Sequence, residues 1–174
     1  MRVSQTANDR RAKFPLRSVE MKIKSTVMRA DIFTPAKRAA IMRAVKGRDT
    51  APERDVRAVV CALGYARRYR LHGAHLPGKP DLVFTSLGKA MFVHGCFWHG
   101  HSCKRGARQP KDNAAYWRTK IANNRARDRA SLKALNARGW STCVVWECEC
   151  RDRGALAARL AAFLSAPRSR PTAR

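Results

Sequence analysis

The chain has 174 residues, 45% of them hydrophobic, and a formal net charge of +25 from 37 Lys and Arg against 12 Asp and Glu. That length holds one domain with a proper core, its apolar fraction is too high for a disordered chain, and no run approaches the ~18 apolar residues of a membrane span or the apolar stretch of a secretory signal. The expectation is a soluble, cytoplasmic, very basic domain whose partner is anionic; nucleic acid is the commonest such partner, because each neutralised phosphate releases condensed counterions, and an acidic lipid surface is the alternative.

Residues 1–30 hold eight basic and two acidic residues without sustained periodicity, which predicts a disordered basic arm. The Pro- and Arg-rich stretch 165–174 predicts a disordered basic tail, and the folded domain is expected over 31–164. Residues 36–46 read as a short basic helix carrying Ile41, Met42 and Val45. Thr50-Ala51-Pro52-Glu53 opens a second helix as a capping box with Pro in the first turn. Val56, Val59, Val60 and Leu63 then recur at helical spacing until Gly64 ends it. Pro77-Gly78-Lys79-Pro80 turns the chain into Asp81. Leu82–Phe84 and Ala90–Val93 read as buried strands joined in a hairpin through Ser86–Lys89. Residues 95–112 form a loop rich in Cys, His and Gly, 114–138 a long helix, and 141–146 a third strand. A last helix runs from about Asp152, with Leu156, Leu160, Phe163 and Leu164 on one face. The order predicts an α/β fold, a mixed central sheet flanked by helices.

Four constellations carry chemistry. In a reducing compartment clustered Cys and His read as metal ligands before disulfides, and Cys96, His101, Cys103 and Cys148 make the best tetrahedral zinc quartet, with Cys150 or His99 able to substitute on spacing alone. Cys61 and Cys143 fall in helix and strand interiors, where a small buried hydrophobe is expected. Asp81 stands at the start of a buried strand, where a carboxylate can hold Mg²⁺ or cap its own turn. His94 and His99 flank Phe97-Trp98; the imidazoles suit acid–base work, and the rings either wedge into stacked bases or cover the metal site. On the long helix Trp117, Ile121, Asn124, Asp128, Leu132 and Leu135 share one narrow face. Asp128 interrupts that inward stripe and needs a partner: a histidine, or Arg125 or Arg129 beside it.

Taken together, Met42–Val45, Arg48–Glu53, Leu76–Asp81, His94–His99, the following His101 and Cys103, and Trp146–Cys148 resemble the very short patch repair (Vsr) DNA mismatch endonucleases. The resemblance covers roughly residues 34–164. It implies a restriction-endonuclease-like fold with a structural zinc, and a Mg²⁺-dependent nick on the 5′ side of the mispaired thymine in a T:G mismatch left by deamination of 5-methylcytosine. By matching position, Asp81 and the main-chain carbonyl of Val93 bind the Mg²⁺, and Glu53 stands behind them. His99 acts as general base, oriented by Asp128, while His94 assists through a water on the cation or at the leaving phosphate. Cys96, His101, Cys103 and Cys148 hold the zinc. Met42, Phe97 and Trp98 enter the base stack, and Lys120 and Asn124 contact the mismatched pair or its neighbours. The implied partners are double-stranded DNA with a T:G mismatch and the mismatch-repair proteins; the implied state is a monomer associated with the nucleoid, away from any membrane. Where the wider nuclease superfamily carries an acidic-x-Lys element, this chain has Phe92-Val93-His94. The rival reading is a zinc-stabilised, non-catalytic DNA-binding module, which explains the charge, the Cys/His cluster and the aromatics but leaves Asp81, His94, His99 and Asp128 without a role.

Overall fold

The computed structural model describes Ala36 and residues 48–108, 110 and 113–168. The expected helix over 36–46, with Met42, and the basic arm over 1–30 lie outside those residues, Ala36 apart. The first full element is helix α1, Ala51–Val60. Its start follows from the sequence: the Glu53 carboxylate accepts from the backbone N–H of Asp49 at 2.9 Å and of Thr50 at 3.4 Å, and from the Thr50 hydroxyl at 2.7 Å. These bonds satisfy donors that a helix end leaves bare. A wider turn, Cys61–Tyr65, closes it, with Gly64 at φ 83. Cys61 is exposed there, its thiol 3.8 Å from the Tyr69 hydroxyl, so the expected burial of Cys61 is corrected; Cys143 is buried.

The sheet has four strands in the order β1 (Arg70–Leu71), β2 (Leu82–Phe84), β3 (Lys89–His94) and β4 (Ser141–Trp146). The first three pair antiparallel, and β3 and β4 run parallel. Between β3 and β4 the chain forms the Cys/His loop and the long helix α2, Ala114–Ala137; after β4 it makes a 3₁₀ turn over Glu147–Arg151 and then helix α3, Arg153–Ser165. A parallel pair needs such a crossover, and a helix supplies it.

Strand residues alternate between two faces. Leu82, Phe84, Met91, Cys143 and Val145 join Val56, Val59 and Val60 of α1 and Leu156, Leu160 and Leu164 of α3 in one apolar layer. Val83, Ala90 and Phe92 join Leu76 and Leu135 in a second layer, with Leu132, Trp140 and Val144 against it. The sheet is therefore mixed and flanked by helices on both sides, the α/β architecture the element order implied. Among the described residues no helix is long and apolar enough to cross a membrane.

Lys89, expected in a hairpin turn, is instead 1% exposed in β3. Its ammonium donates to the carbonyls of Phe163 at 2.6 Å, Leu164 at 2.8 Å and Ala166 at 2.5 Å. A cation at a helix C-terminus completes carbonyls the helix cannot bond itself. Lys89→Met keeps the apolar stem and removes the charge. Urea unfolding of this variant is expected to show a loss of about 2–3 kcal/mol, and a loss below about 0.5 kcal/mol would show that the buried ammonium is neutral in effect.

Candidate active site and metal centre

Parallel pairing of β3 and β4 ends both strands at the same level, with His94 opposite Trp146. The loop after β3 and the turn after β4 therefore emerge side by side. Cys96, His101 and Cys103 come from the first and Cys148 from the second, with their ligand atoms within 4.8 Å of one another. The backbone builds this centre. His101 N–H bonds the Cys96 carbonyl at 2.9 Å and Ala107 N–H the Cys103 carbonyl at 2.8 Å. Gly106 N–H donates to Cys103 Sγ and Cys148 N–H to Cys96 Sγ, each at 3.4 Å. Any side chain at Gly106 would collide with the His101 and Cys96 carbonyls, at 2.1 and 2.8 Å from its Cβ.

The donor set fits a metal ion. The Gly106 N–H, before the His101 hydrogen bond, pulls the Cys103 thiol down to about 6, whereas burial pushes Cys96 up to about 12. A thiolate at Cys96 therefore needs a cation beside it. His99 is held elsewhere, and Cys150 points its thiol at the Pro52 and Trp146 carbonyls, each 3.9 Å away. Neither enters the quartet.

On the other side of the same loop lies a cleft of about 600 Å³. Among its lining residues are Glu53, Asp81, Val93, His94, Trp98, His99, Lys120, Asn124 and Asp128. His99 Nδ1 lies 2.6 Å from Asp128 Oδ2, which settles the partner of Asp128 in favour of the histidine over Arg125 or Arg129. The His99 ring stacks on His94 at a centroid distance of 3.9 Å and 9° between planes. Burial, with help from the charge of His99 and against the pull of Asp128, pushes His94 down to about 4. His94 is therefore neutral around pH 7.

Asp81 enters from the start of β2 and accepts the Val93 N–H at 2.7 Å. Burial pushes its carboxyl up to about 6; the Val93 bond pulls the other way, and the charge of Glu53 adds to the rise. The Asp81 and Glu53 carboxylates, with Val93 beside them in the cleft wall, make a hard, oxygen-rich donor set that fits a divalent cation such as Mg²⁺.

Phe97 and Trp98 form a cluster with Trp117 and Tyr116 of α2, with neighbouring rings 5.2 to 5.7 Å apart. Phe97 and Trp98 stay half-buried, and Tyr116 is 49% exposed. Lys120 sits 5.8 Å over the Tyr116 ring. Asn124 donates to the Trp98 carbonyl at 2.9 Å and accepts from Arg127, so its amide also anchors the loop. Sequence reasoning assigned no role to three further residues. Trp146 stacks on His101 at 4.4 Å and meets His94 edge-on at 5.4 Å, joining the metal centre to the cleft. Glu147 accepts the Cys96 N–H at 3.3 Å and pairs with Arg105 at 3.3 Å. No spacing signal marks Arg105, whereas Trp146 and Glu147 stand inside a motif already singled out.

Comparison with known proteins gives a consistent set. Residues 30–105 match the family described as DNA mismatch endonuclease Vsr. The type II nicking enzyme V.XorIIP of Xanthomonas oryzae pv. oryzae is 49% identical over 130 residues, 75% of this chain and 93% of that protein. The type II nicking enzyme V.NmeAIP of Neisseria meningitidis serogroup A is 39% identical over 130 residues, 75% and 91% of the two chains. DNA mismatch endonuclease Vsr of Escherichia coli is 39% identical over 124 residues, 71% and 78% of the two chains.

The raised Asp81 pKa gives a stability test. Such a carboxyl holds its proton more tightly folded than unfolded, so it costs stability as pH rises from its unfolded value through about 6. The full cost is roughly 2–3 kcal/mol. Asp81→Asn keeps an acceptor for the Val93 N–H. In buffer free of added divalent cations its thermal midpoint is expected above the parent's at pH ~7.5, with the gap shrinking towards pH ~5. Equal midpoints at both pH values would mean that the carboxylate is well solvated.

Proposed function

The chain belongs to the Vsr family of DNA mismatch endonucleases, and from that membership we propose that it nicks duplex DNA on the 5′ side of the mispaired thymine in a T:G mismatch, starting very short patch repair. The observation that carries this is the His99–Asp128 pair at 2.6 Å, stacked on His94, in the same cleft as Asp81. A purely DNA-binding module has no use for that set.

Asp81, the Val93 carbonyl and, behind them, Glu53 hold Mg²⁺ in this reading; the ion supplies charge neutralisation at the scissile phosphate and its leaving 3′-oxygen. Asp128 accepts from His99 Nδ1, which leaves Nε2 as the nitrogen that takes a proton from the attacking water. The imidazolium so formed is stabilised by the same carboxylate. His94, neutral at working pH, backs the His99 ring and fixes its plane without adding a repelling charge. Cys96, His101, Cys103 and Cys148 bind Zn²⁺, since two or more thiolates with an imidazole favour it over harder ions.

Phe97 and Trp98, and by the family resemblance Met42, wedge into the base stack. Lys120 and Asn124 reach the mismatched pair. Unstacking costs a few kcal/mol, and less where the bases are mispaired, so the wedge discriminates mismatch from match without an extensive set of base contacts. The basic residues of α2, among them Arg118, Lys120, Arg125 and Arg127, support the duplex as partner.

The test is a nicking assay on a labelled duplex with one T:G mismatch, in several cytosine-methyltransferase contexts, against its T:A control, with and without Mg²⁺. A Mg²⁺-dependent nick just 5′ of the mispaired T is expected in the mismatch alone. Asp81→Ala is expected to abolish it while leaving DNA affinity within a few fold. Asp128→Asn is expected to slow single-turnover nicking by about 10²–10⁴ without weakening binding. Tight binding with no nick in any context would instead assign the chain to the zinc-stabilised, non-catalytic modules.

The metal centre has its own test. The purified protein is expected to carry one equivalent of zinc by elemental analysis. Cys148→Ser is expected to lose it along with a large drop in thermal midpoint. A variant with an unchanged midpoint would remove Cys148 from the ligand set.

A further inference from the structure

One histidine near the cleft has no place in the reaction described so far. His72 follows β1, and its N–H donates to the Asp81 carbonyl at 3.0 Å, while Gly73 N–H donates to the Pro80 carbonyl at 2.9 Å. These bonds continue the β1–β2 ladder one step past the Leu71–Leu82 pair. They hold His72 directly beside Asp81, in a left-handed conformation (φ 51) that few non-glycine residues adopt. The strand cannot slide away: a Cβ on Gly73 would stand 2.6 Å from Val83 Cγ2, so the backbone there is already in close contact.

The ligand atoms of Glu53, His72 and Asp81 lie within 4.8 Å of one another. Among the described residues no hydrogen bond or ion pair within 4.0 Å joins the His72 ring to either carboxylate. The three groups are therefore gathered but not bonded. The ring thus stands further from the carboxylates than the ~3 Å between adjacent ligands held about 2.1 Å from one ion, so binding draws the three side chains together around it. Glu53 is fixed for the task. Its Oε1 takes the Thr50 amide and hydroxyl, and its Oε2 takes only the Asp49 amide, leaving a lone pair there.

We propose that His72 is a ligand of the cation at Asp81, making a Glu53–His72–Asp81 site whose imidazole nitrogen favours a first-row transition ion over Mg²⁺. The inference rests on the reading that Asp81 holds the catalytic cation. Mg²⁺ prefers oxygen donors and keeps its waters, so a nitrogen ligand adds little to its binding. Transition ions gain from the nitrogen. Mn²⁺ is the informative probe because its own preference lies with oxygen, so any advantage it draws here reports the imidazole. It also competes poorly for the thiolates of the zinc centre.

The experiment uses the full, zinc-loaded chain without DNA. Mn²⁺ binding is followed by electron paramagnetic resonance, the nitrogen nuclei coupled to the bound ion by spin-echo modulation, and Mg²⁺ affinity by competition. The parent is expected to bind Mn²⁺ with directly coordinated nitrogen. His72→Asn retains a residue tolerant of φ > 0. It is expected to lose that nitrogen signal and roughly tenfold of Mn²⁺ affinity, with Mg²⁺ affinity nearly unchanged. His72→Gln gives a second variant should the first fold poorly. A nitrogen signal that survives both substitutions, or a parent that binds Mn²⁺ through oxygen alone or does not bind it, overturns the proposal. Asp81→Asn separates the two readings: Mn²⁺ and Mg²⁺ affinities that ignore it defeat the assignment of Asp81 itself, whereas loss of both there with no effect at His72 defeats only the present inference.

Discussion

The parallel pairing of β3 with β4 is the constraint on which the reactive parts of the molecule depend. Its register sets His94 against Trp146, and each strand delivers a cysteine two residues later, Cys96 and Cys148. Two chain segments about fifty residues apart thus begin on a common metal centre, before any loop conformation has been specified. Had β4 paired antiparallel, Cys148 would leave the sheet at the opposite end and the quartet could not close. The crossover that parallel pairing demands is also what brings α2 across the sheet, and α2 carries Asp128.

A loop of this length inside a small domain loses much conformational entropy on ordering. The ligand atoms of Cys96, His101, Cys103 and Cys148, within 4.8 Å of one another, mark the single point at which a bound ion would offset that loss. The same point fixes the spacing from Cys96 to His101, so Phe97, Trp98 and His99 between them have little freedom. His99 is then trapped from both sides, by the His94 face at 3.9 Å and the Asp128 carboxylate at 2.6 Å. Trp98 is tied to α2 by the Asn124 amide. The aromatic cluster, the histidine pair and the Cys/His quartet are therefore joined through one loop.

How much of this was legible depended on whether the signal was local. The Thr50–Glu53 cap, the two buried strands of the hairpin, the third strand and the last helix all carry their pattern within a few residues, and all are present. Asp128 stood out because it broke an apolar stripe, although pattern alone left two partners open and the geometry chose His99. The quartet was legible because thiols and imidazoles seldom cluster without a ligand. β1 is only two residues long, too short for any periodicity, and with it went the chance to see His72 laid against Asp81. In sequence Lys89 reads as a turn residue because its partners lie more than seventy residues away, at the end of α3. Cys61 follows an apolar helical run, but the widened turn after Val60 rotates it out to solvent.

Glu53 is buried and Asp81 half-buried, and neither is paired with a Lys or Arg among the described residues. The surrounding protein is strongly basic, yet the cations that line the cleft, Lys79, Arg105, Lys120 and Arg127, pair with neither carboxylate. A lysine salt-bridged to Asp81 would relieve the cost of burial and at the same time compete with the ion for the same oxygens. Burial raises the Asp81 pKa, and no Lys or Arg among the described residues offsets that cost; on the reading proposed above, a bound cation would do so.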